Sequence, residues 1–499
     1  MKCIIQYGIR NSVLLMLLLS SICEVTLADV SGGSQNGAST GIGEPVELVQ
    51  SISLSPDDAF INYGQTQLFT VTAHRIDGSI YTVSSSLVVF SLDSNSIADI
   101  DASGTVNSAG IGNVMLTAEY AGKTAQAKIH AIGKTPVFQT GQTLCYNENA
   151  IILTNCDGTG QDGEYKSGLS LKKRFTVNGD CVTDNVTGLM WAKPAVTNLQ
   201  ALVWHDLVSM VHLKSTCGYG DWHIPNLNEL RSLVNYGKDD NAIYLQTQGF
   251  DGASLQSLVW TSTLDLRMSN QAFFYIDMRT GSIATDQGLV WPPGFSTTWM
   301  VRNAHPFSST VPVTGQTWCS NFNGDLISCS DSVADGQDGQ VKAGVAFVYY
   351  RFLVAGVNDE CITDLQSGLT WMRTPEPSTY TWQDALNYAG AVNSNNLCGM
   401  DNWRLPSINE LASLMNQRFP HDDSATATYP EDTSDYLYDY LNRLGFSGLL
   451  PETYWSSTTY SGAPREAWSF DMSNGGLLYK DSKANRYRIL LVRGRKDFN

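Results

Sequence analysis

The chain has 499 residues, too many for a single hydrophobic core, and this length favours about three domains. It carries 31 basic and 48 acidic residues, a formal net charge of −17. Such a field repels phosphate backbones, which argues against nucleic acid as a partner and against simple electrostatic binding of anionic polysaccharide. Aromatic residues make up 10% of the chain and charged residues 16%, which is typical of a folded, β-containing protein rather than a disordered one.

The first residues are typical of a secretory signal peptide. Lys2 and Arg10 supply a positive start, Val13–Leu19 is apolar throughout, and Thr26–Ala28 places small residues where a signal peptidase cuts. We therefore predict a signal peptide over residues 1–28. The protein is then exported, to the periplasm, the cell surface or the exterior of a bacterium.

Two alternatives to a cleaved signal are a retained anchor and a lipoprotein. The apolar run is shorter than the roughly 20 residues with which a helix spans a bilayer, which disfavours an anchor. Lipidation would use Cys23, but Ile22 precedes it where a small residue is expected. No later stretch is long and apolar enough to predict a transmembrane helix.

Composition changes after the signal. Residues 29–45 are rich in glycine and serine, which predicts a flexible leader. Residues 46–133 alternate apolar and polar side chains with period two, as at Phe69–Ala73. The runs Val114–Tyr120 and Ala125–Ile129 flank a turn and predict a hairpin. About 90 residues of short strands at this spacing predict a β-sandwich.

Five short motifs are spread over this segment: Ser51–Pro56, Thr70–Ala73, Ser96–Ala98, Gly104–Val106 and Thr117–Thr124. They resemble the bacterial immunoglobulin-like group-2 family, found in invasin- and intimin-type surface proteins. Phe90 stands where that family commonly has a core tryptophan. The resemblance implies a spacer or adhesion module rather than an enzyme.

The rest of the chain is an internal duplication, with residues 134–306 (copy 1) matching residues 307–499 (copy 2). Each copy contains four cysteines and six tryptophans, and the four cysteines and four of the tryptophans recur in the same order, so the fold is expected twice. The matching segments include Thr140–Cys145 with Thr314–Cys319, Gly160–Gly163 with Gly336–Gly339, Cys181–Asp184 with Cys361–Asp364, Gly188–Trp191 with Gly368–Trp371, Asp221–Pro225 with Asn402–Pro406, Asn228–Leu230 with Asn409–Leu411, and Trp260–Thr263 with Trp455–Thr458.

The eight cysteines that remain after signal removal predict disulfides, since an even number in an exported chain usually pairs. None forms a Cys-x-x-Cys motif, so zinc and thiol-redox sites are disfavoured. A turn at Asn323–Asp325 would set Cys319 opposite Cys329, although four cysteines allow three pairings per copy. The predicted bonds, extended by the repeat, are Cys145–Cys156, Cys181–Cys217, Cys319–Cys329 and Cys361–Cys398.

A helix start follows each Trp-x-x-Pro motif. Ser407 with Glu410, and Asn226 with Glu229, have the spacing of capping boxes. We therefore interpret Glu410 as a cap partner rather than an acid catalyst.

The tryptophans invite a sugar-stacking hypothesis, since an indole face suits apolar sugar faces. Most recur in fixed context, which is how core residues behave in a duplicated fold. Trp291 has no counterpart and is expected to be exposed. The eight predicted core residues are Trp191, Trp204, Trp222, Trp260, Trp371, Trp382, Trp403 and Trp455.

The sequence gives little support for a metal site or a catalytic site. His205, His212 and His223 cluster in copy 1 but have no histidine counterparts in copy 2, so the repeat shares no histidine chemistry. Calcium is a weaker alternative at Asp157–Gly163 and Asp335–Gly339, where aspartate and glycine are better interpreted as turn residues. We predict no cofactor, no metal site and no catalytic residue.

A second resemblance rests on Asn402–Leu411, Tyr454–Thr458, Ala467–Trp468 and Val492–Arg493. These motifs are similar to the domain at the C-terminus of the Legionella collagen-like adhesin, the Lcl C-terminal family. That domain looks like a variant of the C-type-lectin-like fold, which formylglycine-generating enzymes also use. The expected fold is mainly β: an immunoglobulin-like sandwich, then two disulfide-bearing, C-type-lectin-like α+β domains.

The function implied is binding: an immunoglobulin-like spacer carrying two lectin-like modules, with a polysaccharide, glycosaminoglycan or surface protein as ligand. The alternatives are a catalyst of the formylglycine-generating type and a structural envelope protein without ligand. Because His223 replaces Arg404, copy 2 is the better candidate for binding. Its candidate basic residues are Arg486, Arg488, Arg493, Arg495 and Lys496.

Overall fold

The computed structural model describes residues 49–95, 97–110, 112–197, 204–254, 257–266, 272–286, 298–304, 309–355, 359–417, 436–473 and 475–494. The predicted signal peptide and leader, Trp291, Arg495 and Lys496 lie outside these ranges. The chain from Val49 onward forms one unit. Within the described ranges, no helix is both long and apolar enough to cross a bilayer.

The N-terminal strands are β1 (Val49–Ser55), β2 (Asp58–Asn62), β3 (Thr66–Leu68), β4 (Thr70–Arg75), β5 (Ile80–Thr82), β6 (Val89–Leu92), β7 (Ala98–Ile100), β8 (Thr105–Ser108), β9 (Gly112–Tyr120) and β10 (Lys123–Ile132). They form sheets of order β1-β4-β5, β2-β10-β9-β6 and β3-β8-β7. The predicted hairpin is confirmed, because β9 pairs antiparallel with β10 from Tyr120 opposite Lys123. Alternate residues such as Val114, Leu116 and Ile129 enter one hydrophobic core.

Copy 1 contains α1 (Asp162–Tyr165), β11 (Phe175–Asn178), β12 (Cys181–Asp184), β13 (Leu189–Ala192), α2 (Pro194–Thr197), α3 (Trp204–Met210), α4 (Leu227–Ser232), α5 (Asn241–Thr247), β14 (Leu258–Asp265), β15 (Ala272–Asp277), β16 (Ser282–Asp286) and β17 (Val301–Asn303). Its strands form two sheets, β11-β12-β13-β17 and β14-β15-β16. The last strand, β17, therefore returns to the first sheet.

Copy 2 contains β18 (Cys319–Ser320), β19 (Leu326–Ile327), α6 (Asp338–Val341), β20 (Phe352–Ala355), β21 (Cys361–Asp364), β22 (Leu369–Met372), α7 (Trp382–Ser394), α8 (Ile408–Ala412), α9 (Leu437–Arg443), β23 (Thr453–Thr459), β24 (Glu466–Asp471), β25 (Leu477–Ser482) and β26 (Val492–Arg493). Its sheets β20-β21-β22-β26 and β23-β24-β25 repeat the strand orders of copy 1. The mainly β class with a few helices is confirmed.

The structure contains the four predicted disulfides, Cys145–Cys156, Cys181–Cys217, Cys319–Cys329 and Cys361–Cys398. The register proposed for the short hairpin is wrong, because Cys319 lies opposite Ile327 rather than Cys329. The turn closes at Asn321, whose amide hydrogen bonds to Asp325 O at 3.0 Å. Cys329 therefore lies beyond the paired residues, and its sulfur reaches back to Cys319.

All eight tryptophans predicted for the core are at most 3% exposed, so their assignment is confirmed. Several also satisfy the indole N–H with backbone oxygen. Trp204 Nε1 donates to Thr261 O at 2.7 Å, and its counterpart Trp382 Nε1 donates to Ser456 O at 2.8 Å. These indoles fasten a helix of each copy to the second sheet of that copy. Their faces are therefore not available to a sugar.

We expect the two classes of disulfide to differ in their contribution to stability. In the chain-entropy model, the loops closed by Cys361–Cys398 and Cys319–Cys329 contribute about 4 and about 3 kcal/mol. Replacing both cysteines of a pair by alanine should therefore lower the free energy of unfolding in urea by about these amounts. A larger loss from the shorter loop would contradict the prediction.

Candidate functional site

The polar residues that precede the sheets of each copy bind the other copy. We call residues 134–168 the first arm and residues 309–344 the second arm. Gln142 of the first arm donates from Nε2 to Thr459 O at 2.7 Å and accepts from Thr459 N at 2.9 Å, in copy 2. Gln316 of the second arm makes the same pair of bonds, both 2.9 Å, with Leu264 of copy 1. The arms are therefore exchanged reciprocally.

A buried carboxylate lies at the centre of each exchange. Asp162 Oδ2 accepts hydrogen bonds from Thr140 Oγ1 of its own arm and from Thr458 Oγ1 of copy 2, both at 2.7 Å. Burial raises the pKa of Asp162 to about 6, although the two hydroxyls oppose this shift. The second arm reproduces the arrangement with Asp338. We call these two groups the threonine–aspartate bridges.

In the Asp338 bridge, Thr314 Oγ1 donates at 2.6 Å and Thr263 Oγ1 of copy 1 donates at 2.7 Å. Burial again raises the pKa of the carboxyl group to about 6. Each bridge therefore joins an arm to the Trp-x-x-Thr strand of the opposite copy. The short helices α1 and α6 begin at the two aspartates and position them.

An ion pair lies beside the first bridge. Arg404 donates to Glu410 at 2.6 and 2.5 Å, and both residues are buried. Glu410 also accepts from Ser407 N at 2.8 Å, which closes the predicted capping box of α8. Burial disfavours the charged guanidinium, but Glu410 raises the pKa of Arg404 overall. Tyr165 of the first arm covers the guanidinium, 5.5 Å from ring centroid to Arg404 Cζ.

Copy 1 has histidine in the same place. His223 Nε2 lies 3.0 Å from Glu229 Oε1, and Glu229 closes the predicted capping box of α4 with Asn226. Burial would lower the pKa of His223, but Glu229 and then Asp338 raise it overall. Positions 223 and 404, where the copies differ, are thus both committed to internal ion pairs. The arrangement holds protons and charge inside the fold and offers no exposed nucleophile.

Three members of the predicted basic group lie within the described residues, and they differ in exposure. Arg486 is exposed and donates to Thr379 O at 2.5 Å. Arg488 is paired with Glu452 at 2.7 Å. Arg493 is half-buried, and burial lowers its pKa.

Arg493 differs from its counterpart in copy 1 by its partner. Arg302 pairs with Asp221 at 2.6 Å, whereas Asn402 stands at the position of Asp221 in copy 2. Arg493 contacts the Met400 sulfur instead, and among the described residues its Nε has no hydrogen-bond acceptor. Copy 2 has therefore kept the arginine but has asparagine in place of the carboxylate that pairs with it in copy 1, and the neighbouring Asp401 acts to raise the pKa of Arg493.

Two of the histidines considered as metal ligands, His205 and His223, make other contacts. His205 hydrogen bonds to Ser320 O of the second arm at 3.3 Å, and His223 contacts Glu229. The side chain of His212 lies outside the description. Within the described ranges, no group of three or more histidine, cysteine, aspartate or glutamate side chains is arranged to hold a metal ion.

An exposed aromatic pair in copy 2 was not predicted from the sequence. Tyr349 and Tyr350 immediately precede Arg351 in copy 2 and are 88% and 73% exposed. Their rings meet edge to face, with centroids 4.7 Å apart. Copy 1 has Lys172 and Lys173 immediately before the equivalent Arg174. This difference between copies was visible in the sequence, next to a shared arginine.

The family model for the Lcl C-terminal domain matches residues 180–302 and 360–493, which confirms the two copies. Both arms precede the matched segments. No curated protein matches the chain by sequence.

Among solved structures, the S-layer protein SbsC, domains 4 and 5, is 20% identical with a TM-score of 0.15 and covers 17% of this chain. This chain spans about half of that structure, 52% of its length. The adhesin InvE of Yersinia pseudotuberculosis is 13% identical with a TM-score of 0.17, over 90% of this chain and 100% of that one.

We expect the threonine–aspartate bridges to give a characteristic pH dependence. A carboxyl group whose pKa rises from 3.8 to about 6 on folding stabilises the fold fully below pH 3.8, and this stabilisation is lost as the pH rises through 6. Between pH 4 and 7, wild type should lose on the order of 2 kcal/mol of unfolding free energy relative to Asp162→Asn. The exposed Asp157→Asn should follow wild type. Parallel curves for wild type and Asp162→Asn would refute the assignment.

Exchanging histidine and arginine at positions 223 and 404 should change the melting temperature in a way that depends on pH. His223 is charged only below its raised pKa, so its pairing with Glu229 stabilises the fold at low pH and is lost as the pH rises above it. His223→Arg should raise the melting temperature relative to wild type at pH 8.5 more than at pH 5.5. Arg404→His should lower it more at pH 8.5. A pH-independent effect in thermal scans would argue against both.

Proposed function

Because the chain belongs to the Lcl C-terminal domain family, we propose that it is an exported bacterial binding protein of the adhesion type. In this proposal, residues 46–133 are an immunoglobulin-like spacer and the two copies are lectin-like modules that act at or outside the cell surface. Four disulfides support export, since such bonds persist in oxidising compartments. The ligand is a polysaccharide, a glycosaminoglycan or a surface protein.

The observation that carries the proposal is the exposed pair Tyr349 and Tyr350. Two adjacent tyrosines at 88% and 73% exposure are costly to leave in water and supply flat, rigid faces with polar tips. Leu353 and Val354 of the edge strand β20, which follows the tyrosines, are also exposed. Because buried tryptophans are unavailable, this surface is the best candidate for stacking against a sugar.

Anionic glycans would need a different surface. The net charge of −17 disfavours them over most of the molecule. Arg486, which is exposed, and Arg493, which has lost the carboxylate found in copy 1, are the better members of the predicted basic group. Arg488 contributes less because Glu452 neutralises it.

The exchanged arms support the proposal that the two copies act together as one binding unit. Buried residues of both copies share one hydrophobic cluster, and Trp318 and Leu326 of the second arm pack against a second cluster in copy 1, so both copies present their surfaces in fixed relation. Two sites held in this way raise avidity only when one ligand reaches both of them. A long repeating polysaccharide meets this condition more easily than a small soluble ligand.

We expect the full chain to bind neutral polysaccharides on a glycan array. Tyr349→Ala with Tyr350→Ala should weaken this binding about tenfold or more, since truncating a hot-spot tyrosine of an interface costs about 2 kcal/mol or more. Lys172→Ala with Lys173→Ala is the matched control at the equivalent place in copy 1. Arg486→Gln with Arg493→Gln should reduce only binding of sulfated glycans. If the chain binds neither glycans nor surface proteins, the result would instead favour a structural envelope protein.

A further inference from the structure

The strand β20 of copy 2 forms an uncharged edge of its sheet. It is the first strand in the order β20-β21-β22-β26, and its residues Leu353 and Val354 are 47% and 41% exposed. Edge strands present backbone groups that another chain can pair with, and soluble proteins usually protect them with charged side chains. In residues 349–355 the one charged residue is Arg351, which is buried and paired with Asp364 at 2.7 Å. This edge therefore lacks the usual protection.

The equivalent edge of copy 1 is polar. Strand β11 begins the sheet of copy 1 and pairs with β12 as β20 pairs with β21. Thr176 stands there in place of Leu353, and the exposed Lys172 and Lys173 stand in place of the two tyrosines. Since β11 makes the same strand pairing with these polar residues, the fold itself does not require an apolar edge in copy 2.

The outer side of β20 offers unused hydrogen-bonding groups. Leu365 N donates to Arg351 O at 2.8 Å, which continues the β20–β21 ladder by one hydrogen-bonded pair. Because such pairs alternate along antiparallel strands, Phe352 and Val354 direct their N–H and C=O groups away from β21. Among the described residues, these backbone groups have no hydrogen-bond partner. They are therefore available to a further strand.

We propose that β20 pairs antiparallel with β20 of a second copy of this chain, which joins the two sheets in a two-fold symmetric dimer. In this register Phe352 of each chain lies opposite Val354 of the other, and both pairs exchange their outward N–H and C=O groups. Leu353 lies opposite Leu353 of the second chain. That pair is of the type without hydrogen bonds, in which the Cα atoms are only about 4.5 Å apart and the side chains are in contact.

A second copy fits this edge because the register is self-complementary. A two-fold interface brings the same surface together from both sides, so each strand supplies the donors and acceptors that the other needs. The exposed leucine is then covered by an identical apolar side chain, and no charged side chain of β20 meets a like charge. The net charge of −17 on each chain opposes this association at long range, so added salt should strengthen it.

The dimer goes beyond the proposed glycan binding and does not depend on it. Strand pairing uses the backbone of β20 and Leu353, whereas the glycan surface was assigned to Tyr349 and Tyr350. If the proposed function holds, the dimer adds a second tyrosine pair that one long polysaccharide can reach, which raises avidity. Because self-association is measured without glycan, failure of one proposal is distinguishable from failure of the other.

The first test measures the mass of the full chain by sedimentation at low and high salt. We expect a reversible dimer with a dissociation constant in the micromolar range, tighter at high salt. Leu353→Lys should weaken the dimer about tenfold or more, because two lysines would then face each other across the interface. Thr176→Lys, the same change at the equivalent edge of copy 1, should leave the dimer unchanged.

The second test checks the register by cross-linking. Leu353→Cys should form a disulfide with its own counterpart under mild oxidation, because Cα atoms about 4.5 Å apart fall within disulfide reach. Val354→Cys should not, since the two copies of residue 354 are offset by two residues, about 7 Å along the strands. Thr176→Cys is the matched control in copy 1 and should stay monomeric.

Both lysine variants change exposed side chains, so their melting temperatures should equal that of wild type at concentrations where the chain is monomeric. If Leu353→Lys fails to fold, Leu353→Thr replaces it, since copy 1 already has threonine at this position. A chain that stays monomeric through the micromolar range at both salt concentrations would overturn the proposal. A dimer that Leu353→Lys does not weaken, or Leu353→Cys that links no better than Thr176→Cys, would also overturn it.

Discussion

Two buried carboxylates, each held by threonine hydroxyls from both copies, determine how this protein is assembled. Asp162 and Asp338 lie where an arm of one copy meets a strand of the other. A buried charged carboxylate is strongly unfavourable unless its hydrogen bonds are satisfied, so each arm is stable only in this arrangement. The exchange makes the two copies interdependent, and buried hydrophobic residues from both accordingly share a cluster.

The same constraint explains the ion pairs beside the bridges. Glu410 and Glu229 cap their helices, yet each also lies close enough to a bridge aspartate to raise its pKa. A cation between the carboxyl groups relieves this repulsion, and Arg404 and His223 supply it. Positions 404 and 223 must therefore be basic for reasons of assembly. A difference between arginine and histidine there alters pH response before it alters ligand binding.

Local patterns allowed much of the fold to be predicted from sequence. Ser407 and Glu410 lie three residues apart, and their capping box depends on nothing distant. The four disulfides and the core tryptophans were predictable because the repeat presents each of them twice. The bridges were not predictable, since Thr458 and Asp162 are 296 residues apart and no periodicity links them. The sequence contained one indication of the bridges. Threonines and glutamines occur at equivalent positions in both copies, near a Gly-Gln-Asp-Gly motif that both copies share.

The duplication also indicates where this chain was free to diverge. Residues of the bridges are matched between copies because a change on one side would leave a buried group of the other copy unsatisfied. The copies differ more freely away from the bridges: Tyr350 stands in place of Lys173 at an exposed turn, Asn402 in place of Asp221, and Ala412 in place of Arg231. Shared residues thus maintain the assembly. The unmatched residues, which the assembly does not need in pairs, are the ones from which binding specificity can be built.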